Sequence, residues 1–327
     1  MDVHLVVEDG VRDCTVEDLP ALLAAGEGIV WVDVPAWDEQ ADEVLTDVFG
    51  LHPLAVRDCA VRNRLPKVHA YADALFLVLH APERGAAGHV HHVELDRVIG
   101  PRYLITVHGP VNPAVSLDVA LRDTREVLDR IRSGRLRPRT PFDISHAIVS
   151  AITRRMERFV EELTSDVWEL ERRVTDGAYG NPERFLDEMF RTRHGLLAVR
   201  TIAAQTAQIY RRLTGIPRAV PEESRYLVAD LTDQFDRIAA LATEEKDYLQ
   251  GVIEFYRTRT DTKMTIAAER LAVIAVVTLP ITALASVLGM NLIVNDHTTV
   301  VPLAVALTVM IAMSAGLLWW AKHQGWW

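Results

Sequence analysis

The sequence predicts an α+β domain, a long helical stalk and two transmembrane α-helices, in that order. Three observations carry this reading. Over the first 110 residues, short runs of strand composition alternate with helical ones. From Phe142 onward nearly every stretch has helical patterning and few breakers. Near the end, Leu271 to Val294 is 24 residues without a charge, and Val300 to Trp320 is another 21. An apolar run of roughly 20 residues is what a helix needs to cross a bilayer core. Two buried core helices would need cover on every side, and little sequence remains to supply it. A membrane hairpin is therefore the better reading.

The first part, residues 1–139, reads as a cytosolic α/β domain. "VHLVV", "GIVWVDV", "ALFLVLH", "HHVELDRVIG" and "RYLITVHG" have strand composition, with Gly, Pro or charged breaks between them. "VEDLPALLAAG" and "DEQADEVLTDVFG" read as helices, the second stopped by Gly50, and "AVSLDVALRDTREVLDRIRSG" as another. After the break "RLRPRTP", the stalk region covers residues 140–263. It holds helices over about Asp143–Thr175 and Pro182–Leu213, and a third beginning near Pro221. Between Pro221 and Asn291 only Gly251 and Pro280 interrupt, so a continuous helix would run about 105 Å. Leu227, Leu231, Ile238, Leu241, Leu249, Val252 and Tyr256 form one apolar stripe. Such a stripe must pack on the preceding helices or on copies of itself. Residues 264–327 form the membrane hairpin, with helices over about 264–294 and 300–320 and a short cytosolic tail.

Charge and cysteine content narrow the setting. The start, Met1-Asp2-Val3-His4, lacks a basic stretch followed by an apolar one, so no signal peptide is expected and the large N-terminal part stays in the cytosol. Cys14 and Cys59 are the only cysteines, which fits a reducing compartment without a disulfide framework. Arg257, Arg259, Lys263 and Arg270 precede the first membrane run and Lys322 follows the second, while the connecting loop has only Asp296 and His297. Basic flanks belong inside, so both termini are expected in the cytoplasm, in a multi-pass protein of the plasma (inner) membrane. The net charge of −10 argues against a nucleic-acid partner and for a surface that attracts cations.

Four features can carry chemistry. Thr278, Thr282, Ser286 and Gly289 fall on one face of the first membrane helix. They suit either helix packing, with hydroxyls bonded to the preceding turn and Pro280 kinking the helix, or a pore wall. Asn291 closes that face; Gly-Met-Asn is compatible with a C-terminal cap, or with a ring of amides that accept hydrogen bonds from a hydrated ion. Asp230, Asp233, Glu244, Glu245, Asp247 and Glu254 make an acidic side of the stalk, by default a solvated face. "HVHHVELD", His89 to Asp96, reads as an exposed hairpin, with Zn²⁺ or Ni²⁺ binding as the other possibility. No Gly-rich phosphate loop, Cys-x-x-Cys pair or nucleophile elbow is present, so the sequence supports neither an enzyme nor an organic cofactor.

"GMN" closing the first of two C-terminal membrane helices resembles the signature of the CorA family of divalent-cation channels. The likeness extends to "LHPLAVRDC" and "NRLPKVHAYADALFLVLH" within Leu51–His80, to "PIT" at Pro280–Thr282, and to the stalk from Asp230 to Asn291. It implies a funnel-shaped homopentamer in membrane lipid, passing Mg²⁺ and in some members Co²⁺ or Ni²⁺. By the same resemblance Gly289, Met290 and Asn291 form the selectivity filter. Leu271, Leu279, Thr282 and Ser286 line the pore, with Glu254 at its cytosolic mouth. Asp58 and Asp230, with Asp233 nearby, match the acids that bind a regulatory Mg²⁺ between subunits and hold the channel closed. Asp296 is left as the loop's one acid for outer cation capture. Departures from the pattern are Arg57 beside Asp58, Gln234 where a His can serve as a second ligand, Leu288 before GMN, and a single Lys322 in the tail. The nearest alternative is a Zn²⁺ transporter of the same superfamily, proton-coupled in some cases. A membrane-anchored sensor that has lost transport is the other.

Overall fold

Strand β3 (Ile29–Val34) is buried along its whole length, and the sheet is laid out on either side of it. The computed structural model describes residues 1–71, 73–85, 89–216, 219–289 and 300–323. The remaining strands are β1 (Asp2–Val7), β2 (Gly10–Cys14), β4 (Lys67–Ala70), β5 (Leu75–Arg84), β6 (Val90–Ile99) and β7 (Tyr103–Val107). They form one seven-stranded sheet in the order β2-β1-β3-β7-β6-β5-β4. Only β3 and β7 run parallel; the other neighbours are antiparallel.

Side chains alternate between the sheet's two faces. On one face Val30, Val32 and Val34 join Phe76, Val78, Val98, Ile105 and Val107 in the main hydrophobic core. Helices α1 (Leu19–Ala25), α2 (Glu39–Glu43) and α3 (Pro53–Ala60) cover it through Leu19, Ala41, Ala55, Val56 and Cys59. On the other face lie α4 (Leu117–Ala120), α5 (Arg122–Arg132), α6 (Pro141–Asp176) and α7 (Pro182–Thr214). Thr140 and Asp143 close a capping box at the start of α6, and Gly177 ends it in a left-handed conformation at φ 72°. Here the buried Arg97 of β6 donates to Ser145 Oγ and Tyr210 Oη, tying the sheet to α6 and α7.

Helix α8 (Arg225–Gly289) is 65 residues long and contains Pro280; α9 (Val300–His323) has 24. The chain divides into two compact units, Met1–Val252 and Ile253–Trp327. In the first, Leu227, Leu231, Ile238, Leu249 and Val252 are buried as the stripe requires. Leu241 is not: it is 42% exposed, and Ala242, one position on, fills its place in the helical repeat. The second unit holds the apolar ends of α8 and all of α9, both long and apolar enough to cross a membrane. Only 6% of each apolar window is buried, whereas a core helix would be covered. Leu271, Ile274, Leu279, Val301, Val305 and Ile311 all stand exposed.

Some elements depart from the sequence expectation. Strands β2 and β4 were not foreseen because both are sheet edges, short and polar, which is how edges avoid pairing with other chains. Helix α3 starts on Pro53 with His52 accepting from Leu54 N, a cap that looks like a turn in sequence. The helix expected over "AVSLDVALRDTREVLDRIRSG" is divided into α4 and α5 at Leu121.

Candidate cation pathway and regulatory acids

Helix α8 spaces its polar groups along one side. At about 100° per residue, Leu271, Thr278, Leu279, Thr282, Ser286 and Gly289 lie within an arc of about 100°, and Glu254 falls about 20° beyond it. All the side chains among them are exposed in the single chain. Thr278 Oγ1 donates to Ile274 O and Thr282 Oγ1 to Thr278 O, each at 2.8 Å. The back-bonding expected of a packing role is therefore present. It also uses up the hydroxyl protons, so each oxygen faces outward as an acceptor only. An acceptor is what the water shell of a cation needs, because its protons point away from the metal. Gly289 is the last residue of α8; Met290, Asn291 and the loop acid Asp296 lie outside the described residues.

The acids expected to have a regulatory role have separate partners within one chain. Asp58, on α3, is paired with Lys67 Nζ at 3.2 Å, and the same ammonium donates to Asn63 Oδ1 at 2.6 Å. Asp230, on α8, accepts from His146 Nε2 and from Gln234 Nε2, each at 2.6 Å. Asp233 is exposed. Gln234 also accepts from Thr153 Oγ1, which builds it into the α6–α8 contact. Among the described residues no three His, Cys, Asp or Glu side chains are placed to hold a metal within one chain. That includes the histidine run: His91 and His92 belong to β6, with His92 exposed and its ring edge toward His80 at 6.1 Å.

Behind Asp58 lies a group of acids that the sequence reading missed. Glu94 and Asp96 point to the α3 face of β6, opposite His80 and Val78. Glu94 accepts from Asn63 N and Nδ2, and Asn63 Nδ2 also donates to Asp58 O. Burial pushes Glu94 up, and the Asn63 bonds pull it back. Asp96 is fully buried and neither oxygen has a hydrogen-bond partner. Burial first, then the Glu94 and Asp58 carboxylates, raise its pKa well above the usual range. The same burial and the same acids push the Cys59 thiol up, so this cysteine is inert. The signal was available: acids at positions two apart on an otherwise buried strand share one face.

A family model described as CorA-like Mg2+ transporter protein matches residues 26–323. This chain belongs to that family. Two curated relatives align over most of it. YfjQ of Bacillus subtilis, a candidate metal ion transporter, is 25% identical over 304 residues, which is 90% of this chain and 89% of YfjQ. The cobalt/magnesium transport protein CorA of Thermotoga maritima is 21% identical over 247 residues, 75% of this chain and 68% of that protein. The complete CorA magnesium transporter of Methanocaldococcus jannaschii has the same fold, with a TM-score of 0.80 at 14% identity, covering 100% of this chain and 99% of that one.

In this CorA-like chain the buried Asp96 makes a pH prediction. In the unfolded state its carboxyl titrates near the ordinary value of about 3.9. The folded value is raised, so its contribution to stability is complete below the unfolded pKa. It is lost as pH rises toward the folded value, by about 1.4 kcal/mol per unit of separation. Asp96→Asn cannot ionise. Its unfolding midpoint, measured by thermal melts in detergent with chelator present, is expected to exceed the parent's by more at about pH 8 than at about pH 5. Equal shifts at both would remove the burial argument.

Proposed function

We propose that the chain carries Mg²⁺ passively into the cell, with Co²⁺ and Ni²⁺ as further cargo, as a homopentamer whose α8 helices surround the path. Residues 1–139 and 140–263 form the cytosolic domain and stalk of this assembly, and both termini are cytoplasmic. The observation that carries the reading is the exposed polar face Thr278–Thr282–Ser286, whose threonines present acceptor oxygens along a helix that leads to Gly289-Met290-Asn291 in a member of this transporter family. Asn291 holds the ion with its water, and Leu271 and Leu279 narrow the path below. Internal Mg²⁺ bound between Asp58 and Asp230 of neighbouring subunits closes it. The driving force is the membrane potential, about 2.3 kcal/mol per charge per 100 mV, hence about twice that for a divalent ion.

Uptake into proteoliposomes tests this, with Mg²⁺, Co²⁺, Ni²⁺ and Zn²⁺ compared under an imposed potential. Mg²⁺ uptake is expected to rise with an inside-negative potential and to need no proton gradient. Selective Zn²⁺ uptake dependent on a proton gradient would replace this reading with the Zn²⁺ transporter. Failure to pass any of the four ions would leave only the membrane-anchored sensor.

A further inference from the structure

Strands β3 and β7 run parallel side by side, and the chain leaving their C-terminal ends lines a cavity of about 120 Å³. The crevice beyond the carboxyl ends of parallel strands is where open α/β sheets bind ligands. Four polar side chains line this cavity: Arg62, Glu94, His108 and Asn112. The rest of its wall is mainly apolar and includes Val93, Val115 and Leu117.

His108 is the most constrained of the four. Its side chain is 1% exposed, and Nε2 donates to Asp33 at 2.9 Å. Asp33 also accepts from the hydroxyls of Thr106 and Thr124, and Thr106 Oγ1 in turn accepts from Trp31 Nε1, so the ring is locked from behind. Burial alone would raise Asp33, but the charge of His108 and these hydrogen bonds hold its pKa below the ordinary value. Nδ1 is buried with no partner in the protein.

Glu94 adds negative charge. Asn63 occupies part of its accepting capacity, and a carboxylate has about four lone-pair sites. Gly109, at φ +68°, lets the loop after β7 pass close by: a Cβ there would sit 3.6 Å from Glu94 Oε2. Arg62 supplies the opposite charge. One guanidinium nitrogen donates to Pro110 O at 2.8 Å, latching the chain after α3 to the loop after β7, and its remaining N–H groups are available.

A simple anion would satisfy Arg62 and be repelled by Glu94. An amine would do the reverse, and an apolar guest would leave the polar side chains desolvated and unmet. A zwitterion suits this pair of opposite charges, with its carboxylate on Arg62 and its ammonium on Glu94. The hydrocarbon that remains must be short, since an apolar cavity of about 150 Å³ is filled by benzene. We propose that this cavity binds a free α-amino acid with a small aliphatic side chain, of the size of valine.

Calorimetric titration of the full-length protein in detergent with L-valine tests this without any ion flux, so its result is independent of the transport reading. Saturable binding at one site per chain is expected. 3-Methylbutanoate, which lacks the ammonium, and 2-methylpropylamine, which lacks the carboxylate, should each bind at least tenfold more weakly. Arg62→Gln, an exposed change that leaves the core intact, should weaken L-valine at least tenfold, and Ala120→Phe, which fills the cavity, should abolish its binding. The absence of saturable heat with L-valine overturns the proposal. So does equal binding of either analogue, or L-valine binding that survives both substitutions.

Discussion

Replacing Asn291 with alanine is expected to abolish nearly all Mg²⁺ uptake while leaving assembly and membrane insertion intact. Mg²⁺ gives up its waters reluctantly, so a site that admits it must bind the hydration shell rather than strip it. A neutral amide oxygen accepts from those waters without the grip of a carboxylate. Each such hydrogen bond contributes about 1 kcal/mol net. Five lost together from a pentameric ring amount to about 5 kcal/mol, or three to four powers of ten. Asn291→Asp should behave differently: five carboxylates would hold the ion more tightly and slow its exit, so uptake saturates at lower Mg²⁺ and runs more slowly. Fluorescent-dye uptake in proteoliposomes separates these outcomes. Alanine and asparagine proteins with the same flux would end the assignment of Asn291 as the filter.

The second large effect is expected from Asp58→Asn combined with Asp230→Asn. In the proposed pentamer, two carboxylates facing across a subunit boundary repel unless a cation lies between them, and removing both charges removes the ion's site. Uptake should then continue at millimolar internal Mg²⁺, where the parent closes. The structure adds a refinement. Each acid already has a basic partner in its own chain, Lys67 on Asp58 at 3.2 Å and His146 on Asp230 at 2.6 Å. A divalent ion must compete with both. Lys67→Met is therefore expected to shift inhibition to lower Mg²⁺, by no more than about fivefold, since a partly exposed pair is worth up to about 1 kcal/mol. Inhibition curves that coincide for the parent and the double variant would refute the subunit bridge.

The two candidate membrane spans were legible because charge is so costly in lipid that its absence over 24 and 21 residues is a strong signal. Strands β3, β5 and β7 were legible because burial on both faces demands continuous apolar runs. β2, β4 and α3 were hidden by polar composition. The site was readable only in part. The spacing of Thr278, Thr282 and Ser286 places them on one face, but the choice between packing and pore wall depends on neighbouring chains. The partners of Asp58 and Asp230, and the buried Glu94 and Asp96, depend on long-range pairing. No local pattern in "HVHHVELD" distinguishes a histidine metal site from a strand whose acids turn inward beneath α3.

One consequence follows from Pro280. Having no amide proton, it leaves the carbonyl of Val276 without its helical donor. Counting about 100° per residue, both lie some 160° around the helix from Thr278. The gap in the main-chain ladder is thus on the back of α8, away from the threonine column. Hydrocarbon cannot satisfy a bare carbonyl, so its donor must come from a neighbouring helix, an ordered water or a local readjustment of α8 itself. A partner that covers this back is favoured where it supplies that donor.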